Sequence, residues 1–215
     1  MSSAELRKTG ESPPGMSHSD QGAIEGNGRI RKIRRLSFLR KTEAVRRFAS
    51  GAWLKKAGAY LRPLHEKDRK EIRLVLEDAK TFSVKEIDVA ISLVDEALHG
   101  SRDYRFLVAA EKNDSVIGYI CYGQTPMASG TWDVYWIAVS RPYQRRHIGS
   151  LLLGTAEREI QAEKGRLILI ETSSKPRYRS TRRFYHKMGY HLAARIEKFY
   201  AEDDDKLIFC KYPVS

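Results

Sequence analysis

The chain has 215 residues, 41% of them hydrophobic, enough for one core of ordinary domain size plus an extension. No apolar run approaches the ~20 residues that cross a bilayer, and the N-terminus lacks the basic, apolar, small-residue order of a secretory signal, so a globular protein of the cytoplasm is expected. The net charge of +12 is unevenly spread: the balance is −2 over residues 1–28, +10 over 29–56 and +4 over 57–215, so most of the chain needs no polyanionic partner.

Residues 1–28, rich in Ser, Gly and Pro, have little to bury and are expected to be a disordered tail. Residues 29–57 form a basic, possible-helix extension in which Ile30, Ile33, Leu36, Val45, Phe48 and Ala52 fall at mostly helical spacings among arginines and lysines. Such a segment suits an anionic membrane, nucleic acid or simple solvation; as an organellar address it fits poorly, because four acids precede it. The folded domain is expected over 58–215.

In chain order, "AYLRPL" predicts a first strand and "EKDRKEIRLVLEDA" a helix with Ile72, Val75 and Leu76 on one face. A second helix, "SVKEIDVAISLVDEAL", has Ser83 as N-cap with Glu86 three residues on, and an apolar stripe of Ile87, Ile91, Val94 and Leu98. "YRFLVAAEK" and "SVIGYICYGQ" read as a hairpin turning at Asn113 and Asp114. "TWDVYWIAV", a helix starting at Gly149 and "LILIET" describe a crossover between parallel strands; that helix has a core stripe of Leu152, Ala156 and Ile160, and Gly165 is expected to cap its C-terminus. A short helix, "STRRFYHKMG", and two closing strands, "YHLAARIEKFY" and "DKLIFCKY", complete an α+β chain with a mixed sheet. Cys121 and Cys210 lie in apolar strand-like runs with no His or Cys at ligand spacing, which predicts reduced, structural thiols and no metal site.

The chemistry concentrates between Val139 and Gly149. Arg145 and Arg146 stand where a helix begins, although helix dipoles already make that end positive, which points to a bound anion. A Walker-type loop is excluded for want of Gly-x-x-x-x-Gly-Lys-[Ser/Thr], and a dinucleotide fold is set aside because the turn holds a single glycine and no further strand-helix repeats extend the sheet.

The stretch Gln144-Arg145-Arg146-His147-Ile148-Gly149 resembles the acetyl-coenzyme A motif of the GNAT superfamily of N-acetyltransferases, Gln/Arg-x-x-Gly-x-Gly/Ala, with His147 in place of the first glycine. "RRFYHKMGY" is similar to the family's Phe-Tyr-x-x-x-Gly-Phe segment, with Tyr190 as its last residue, while the upstream Asn-x-x-Ala is replaced by Tyr178 and Thr181. The resemblance covers about residues 59–212. It implies a mostly antiparallel mixed sheet with a central splayed parallel strand pair and flanking helices. It also implies acetyl-CoA as co-substrate, held by Ile137, Val139, Gln144, Arg145, Arg146, His147, Ile148, Gly149 and Ser150, and an amine-bearing acceptor, small molecule or protein. Tyr185 matches the family tyrosine that protonates the leaving sulfur. For the base that takes the amine proton, Asp133 is preferred, on the strand face that alternation assigns to Asp133, Tyr135 and Ile137; Glu171, ending the neighbouring strand, is the second candidate. The acidic run Glu202–Asp205 is either an attractor for a cationic amine or a solvated turn. A sensor that binds acetyl-CoA without turnover is the alternative to an enzyme.

Overall fold

The computed structural model describes residues 59–213; the tail and basic extension assigned to residues 1–57 lie outside the described residues. The first helix is set up by charge. Arg62, at the end of β1 (Ala59–Arg62), donates from both terminal nitrogens to Asp68, at 2.6 and 2.9 Å, and Asp68 opens α1 (Asp68–Ala79). The second helix, α2 (Val84–Leu98), begins in the capping box expected at Ser83: Glu86 N–H donates to Ser83 Oγ at 3.3 Å and Ser83 N–H to Glu86 Oε2 at 2.7 Å. The apolar stripes of α1 and α2 pack on one face of the sheet through Ile72, Val75, Leu76, Ile87, Ile91 and Val94. No helix among the described residues is long and apolar enough to cross a membrane.

β2 (Arg105–Glu111) and β3 (Val116–Gln124) form the hairpin, with Asp114 at φ 70° in its turn. β4 (Thr131–Val139), α3 (Ile148–Ala162) and β5 (Leu167–Ser173) follow, then α4 (Arg179–Lys187), β6 (His191–Ala201) and β7 (Asp204–Lys211). The seven strands form one sheet in the order β1-β2-β3-β4-β5-β7-β6, antiparallel except for β4 and β5. α3 and α4 cover the opposite face, burying Ile148, Leu152, Leu153, Ala156, Ile160 and Tyr185 against Trp132, Ile168, Ile170 and Phe209.

Two local expectations are corrected. The left-handed residue ending α3 is Lys164, at φ 61°, not Gly165; Lys164 N–H donates to Gln161 O and Gly165 N–H to Ile160 O, at 3.0 and 2.8 Å. Gly165 is required for space instead, since a Cβ there would overlap Ile160 Cγ2 and lie 2.8 Å from Ile160 O and 2.9 Å from Trp132 Nε1. Second, β4 does not alternate evenly. Cys121 faces Trp136 and Tyr122 faces Val134, so Tyr135 is an extra residue, a bulge. Tyr135, Trp136 and Ala138 consequently turn towards α1 and α2, while Ile137 and Val139 join Trp132 and Val134 on the α3 side. Asp133 shares its face with Tyr135, but Ile137 does not.

Candidate active site

The parallel pairing of β4 with β5 runs from Thr131↔Leu167 to Val134↔Ile170 and stops. Beyond that rung, Trp136–Val139 remains paired with β3 and Glu171–Ser173 with β7, but the two segments do not pair with each other. The sheet therefore opens in a V with its apex at Val134 and Ile170. Ser140 N–H donates to Ile117 O at 2.9 Å, and in an antiparallel ladder bonding residues alternate. Ala138 thus bonds to β3, whereas the backbone groups of Ile137 and Val139 turn towards the V. Val139 O accepts from Gln144 Nε2 at 3.0 Å.

The turn after β4 is anchored to α1: Asp78 Oδ2 accepts from Ser140 Oγ and from Arg141 N–H, both at 2.6 Å, and these bonds hold the Asp78 carboxyl below the usual range. The chain then passes through two left-handed residues, Arg145 at φ 61° and His147 at φ 64°. His147 is the N-cap residue of α3, with no side-chain capping bond, and Leu151 N–H makes the first helical bond, to His147 O. Helix geometry leaves the N–H groups of Ile148, Gly149 and Ser150 without an intrahelical acceptor, and α3 has no acid in its first turn. Ile148 is buried and fixes this end to the core. Arg145 and Arg146 are exposed, the latter with its guanidinium 5.4 Å from the Tyr143 ring centroid. Gly149 lies against α4, where an added Cβ would be 3.5 Å from Phe184 Cζ and 3.8 Å from Val139 Cγ2. Donors, cations and an open strand pair thus converge on one surface suited to an extended anionic ligand.

The sequence candidates for proton transfer separate. Tyr185 is buried on the α3 side, with ring centroids of Phe184, Tyr190 and Phe209 at 5.7, 6.3 and 5.7 Å. Burial pushes its hydroxyl well above the ordinary phenol range, so it stays protonated. Asp133 is buried on the other face, below the apex at the rung with Leu169, and accepts from Thr125 Oγ1 at 2.7 Å. Glu171 is the first β5 residue beyond the apex, on the same face as Asp133. It is partly exposed and lies 2.7 Å from Lys206 Nζ, an ion pair.

Several neighbours were invisible in the sequence. Lys206 of β7 is buried, with its Nζ 4.5 Å from the Phe199 centroid. Glu86, beyond capping α2, accepts from Tyr178 OH, tying that helix to the turn after β5. Phe82 stands between Trp136 and Tyr178, at centroid distances of 6.2 and 6.4 Å. Burial, then the charges of Glu171, Asp204 and Glu86, push the Tyr200 hydroxyl up. The alternation of Lys206 with Leu207 and Phe209 was the one available signal. The acidic run, by contrast, is largely matched internally: Asp203 pairs with Lys175, Asp205 with Arg195 and Glu202 with Lys198, while Asp204 accepts from Ser173 Oγ at 2.5 Å. It is not a bare acidic patch.

A mixed α+β sheet opened at its one parallel pair among the described strands, with a helix N-terminus lacking a side-chain cap at the mouth, defines the class of the fold. The model of the Acetyltransferase (GNAT) family matches residues 69–190, and the chain belongs to that family. A crystal structure described as an acetyltransferase of the GNAT family from Desulfovibrio desulfuricans is 38% identical, with TM-score 0.69, over 73% of this chain and 99% of that one. The ribosomal-protein-S18-alanine N-acetyltransferase of Escherichia coli is 14% identical, with TM-score 0.59, over 73% and 95%. An aminoglycoside 6'-N-acetyltransferase complexed with coenzyme A is 15% identical, with TM-score 0.58, over 73% and 98%; these last two likenesses are of fold. No curated protein matches the sequence at a significant level.

Proposed function

We propose that the protein transfers an acetyl group from acetyl-CoA to a primary amine by direct attack within a ternary complex. The observation that carries this reading is the V between β4 and β5 opening beside the N-terminus of α3. The N–H groups of Ile148, Gly149 and Ser150, with Arg145, Arg146 and the left-handed His147, would hold the pyrophosphate. Gln144 would fix the strand end there, and backbone groups of Ile137 and Val139 would bond the extended arm as an added strand does. Acetyl-CoA supplies the activated thioester when bound.

Amine attack requires a proton acceptor on the acceptor side and a proton donor for sulfur. Tyr185, protonated by virtue of its burial, is the donor. Of the two carboxylates, Glu171 is the better placed base, because it stands just beyond the apex and is partly exposed. Asp133 lies below the apex, bound to Thr125, and would orient the acceptor side instead. The V serves the acceptor as well, since the face bearing Glu171 is walled by Phe82, Trp136 and Tyr178. The S18 and aminoglycoside enzymes named above illustrate the range of amine acceptors on this fold, protein or small molecule.

Calorimetric titration with acetyl-CoA, followed by thiol release against a panel of small amines, amino acids and peptides, tests the reading. Binding with amine-dependent thiol release is the expected result. Binding without release from any acceptor would favour a sensor, and no binding would refute the reading altogether.

A further inference from the structure

Lys206 is the one buried lysine among the described residues, at 7% exposure. It sits on β7 opposite Ser173 of β5 and reaches back along the same face to Glu171, with Nζ 2.7 Å from the carboxylate. Its other side lies over the Phe199 ring. Glu171 in turn stands one residue beyond Ile170, whose rung with Val134 closes the apex. An extended arm entering at the α3 end of the V, beside Val139, runs down β4 towards that apex, so its reacting end would meet Glu171. A primary amine of the chain's own is therefore held against the carboxylate that borders the place of reaction.

Resting on the acetyltransferase reading above, we infer that Lys206 is an internal acceptor: the protein acetylates itself at Lys206 Nζ, with Glu171 taking the proton. The ammonium gives a proton to Glu171, and the nitrogen lone pair forms a bond to the thioester carbonyl carbon. The nitrogen then gives up its second proton as the carbon–sulfur bond breaks, and the sulfur leaves as the thiol by taking a proton from Tyr185, which that second proton replaces. The amide produced is neutral. Its formation removes the positive member of the Glu171–Lys206 pair, so an incoming cationic amine no longer competes with Lys206 for that carboxylate. Holding amine and base together gives the internal reaction a high effective concentration. Burial gives the opposite bias to uncatalysed acetylation in solution, which favours exposed lysines such as Lys67 and Lys198, with side chains 56% and 64% exposed.

The test incubates the full chain with acetyl-CoA and no added amine, and reads each lysine by peptide mass spectrometry over time. Lys206 is expected to gain one acetyl group ahead of Lys67 and Lys198, at a rate independent of protein concentration. Lys206→Arg should lack that increment, and Glu171→Gln should slow it by ~10²-fold or more while calorimetry shows acetyl-CoA affinity unchanged. If acetyl-CoA binds but Lys206 stays unmodified, is acetylated no faster than the exposed lysines, or reacts faster at higher protein concentration, the inference is overturned and the pair only braces β5 to β7. If calorimetry shows no acetyl-CoA binding, the acetyltransferase reading falls and this one with it.

Discussion

Replacing Arg145 and Arg146 together by glutamate separates ligand binding from folding, because the two effects have different sizes and opposite tendencies. Both side chains are exposed, and the one stacking contact, Arg146 over Tyr143, is at 5.4 Å. At an exposed site such a contact contributes ~0.5–1 kcal/mol, whereas each glutamate at a helix N-terminus gains ~0.3–1 kcal/mol from the dipole. Stability should change little or rise. Binding should suffer, since a hydrogen bond to a charged group contributes ~1.5–3 kcal/mol and two are lost. The total of ~3–6 kcal/mol corresponds to a ~10²- to 10⁴-fold rise in Kd for acetyl-CoA, before like-charge repulsion is added. Calorimetric titration of parent and variant at one fixed salt concentration, with thermal unfolding of both, gives the two numbers. An affinity within threefold of the parent would refute the assignment of the pyrophosphate to this helix end.

Tyr185→Phe keeps the buried ring but removes the proton donor, so turnover of the best amine should fall by ~10²- to 10⁴-fold at similar acetyl-CoA affinity; a parental rate would reduce Tyr185 to packing. Gly165→Ala drives a methyl group into Ile160 and Trp132, and overpacking of ~1–3 kcal/mol should lower Tm by several degrees in a thermal melt. Asp114 is held below the usual carboxylate range by its bonds to Lys67, then Tyr60 and Arg62. A carboxyl with a lowered folded pKa contributes stability above its unfolded pKa of ~3.9 and loses it as pH falls further, so Asp114→Asn should flatten the loss of stability below about pH 4 in acid titration followed by circular dichroism. A chain beginning near Ala57 should bind acetyl-CoA and acetylate a small amine as the full chain does, while losing any salt-sensitive adhesion to anionic vesicles or RNA that the full chain shows in co-sedimentation; loss of turnover would place the basic segment within the catalytic domain.

The order of elements, the capping box at Ser83 and the stripes of α1, α2 and α3 were legible because each depends on residues within a turn or two along the chain. The turn proposed to hold the pyrophosphate could be singled out for the same reason, being one contiguous run from Gln144 to Ser150. Even there the backbone conformation was hidden: the family glycine is replaced by His147 at φ 64°, a left-handed geometry that the side chain tolerates at some cost. What only the tertiary structure decided involves neighbours across strands. Where β4 parts from β5, the bulge at Tyr135 that moves Ile137 to the other face, and the pairing of Glu171 with Lys206 all follow from inter-strand register. Register is fixed by packing between residues tens of positions apart, and a slip of one residue reverses every face. The residue types and local elements were therefore determined by the sequence alone, and the sheet decided which carboxylate and which lysine meet beside the apex.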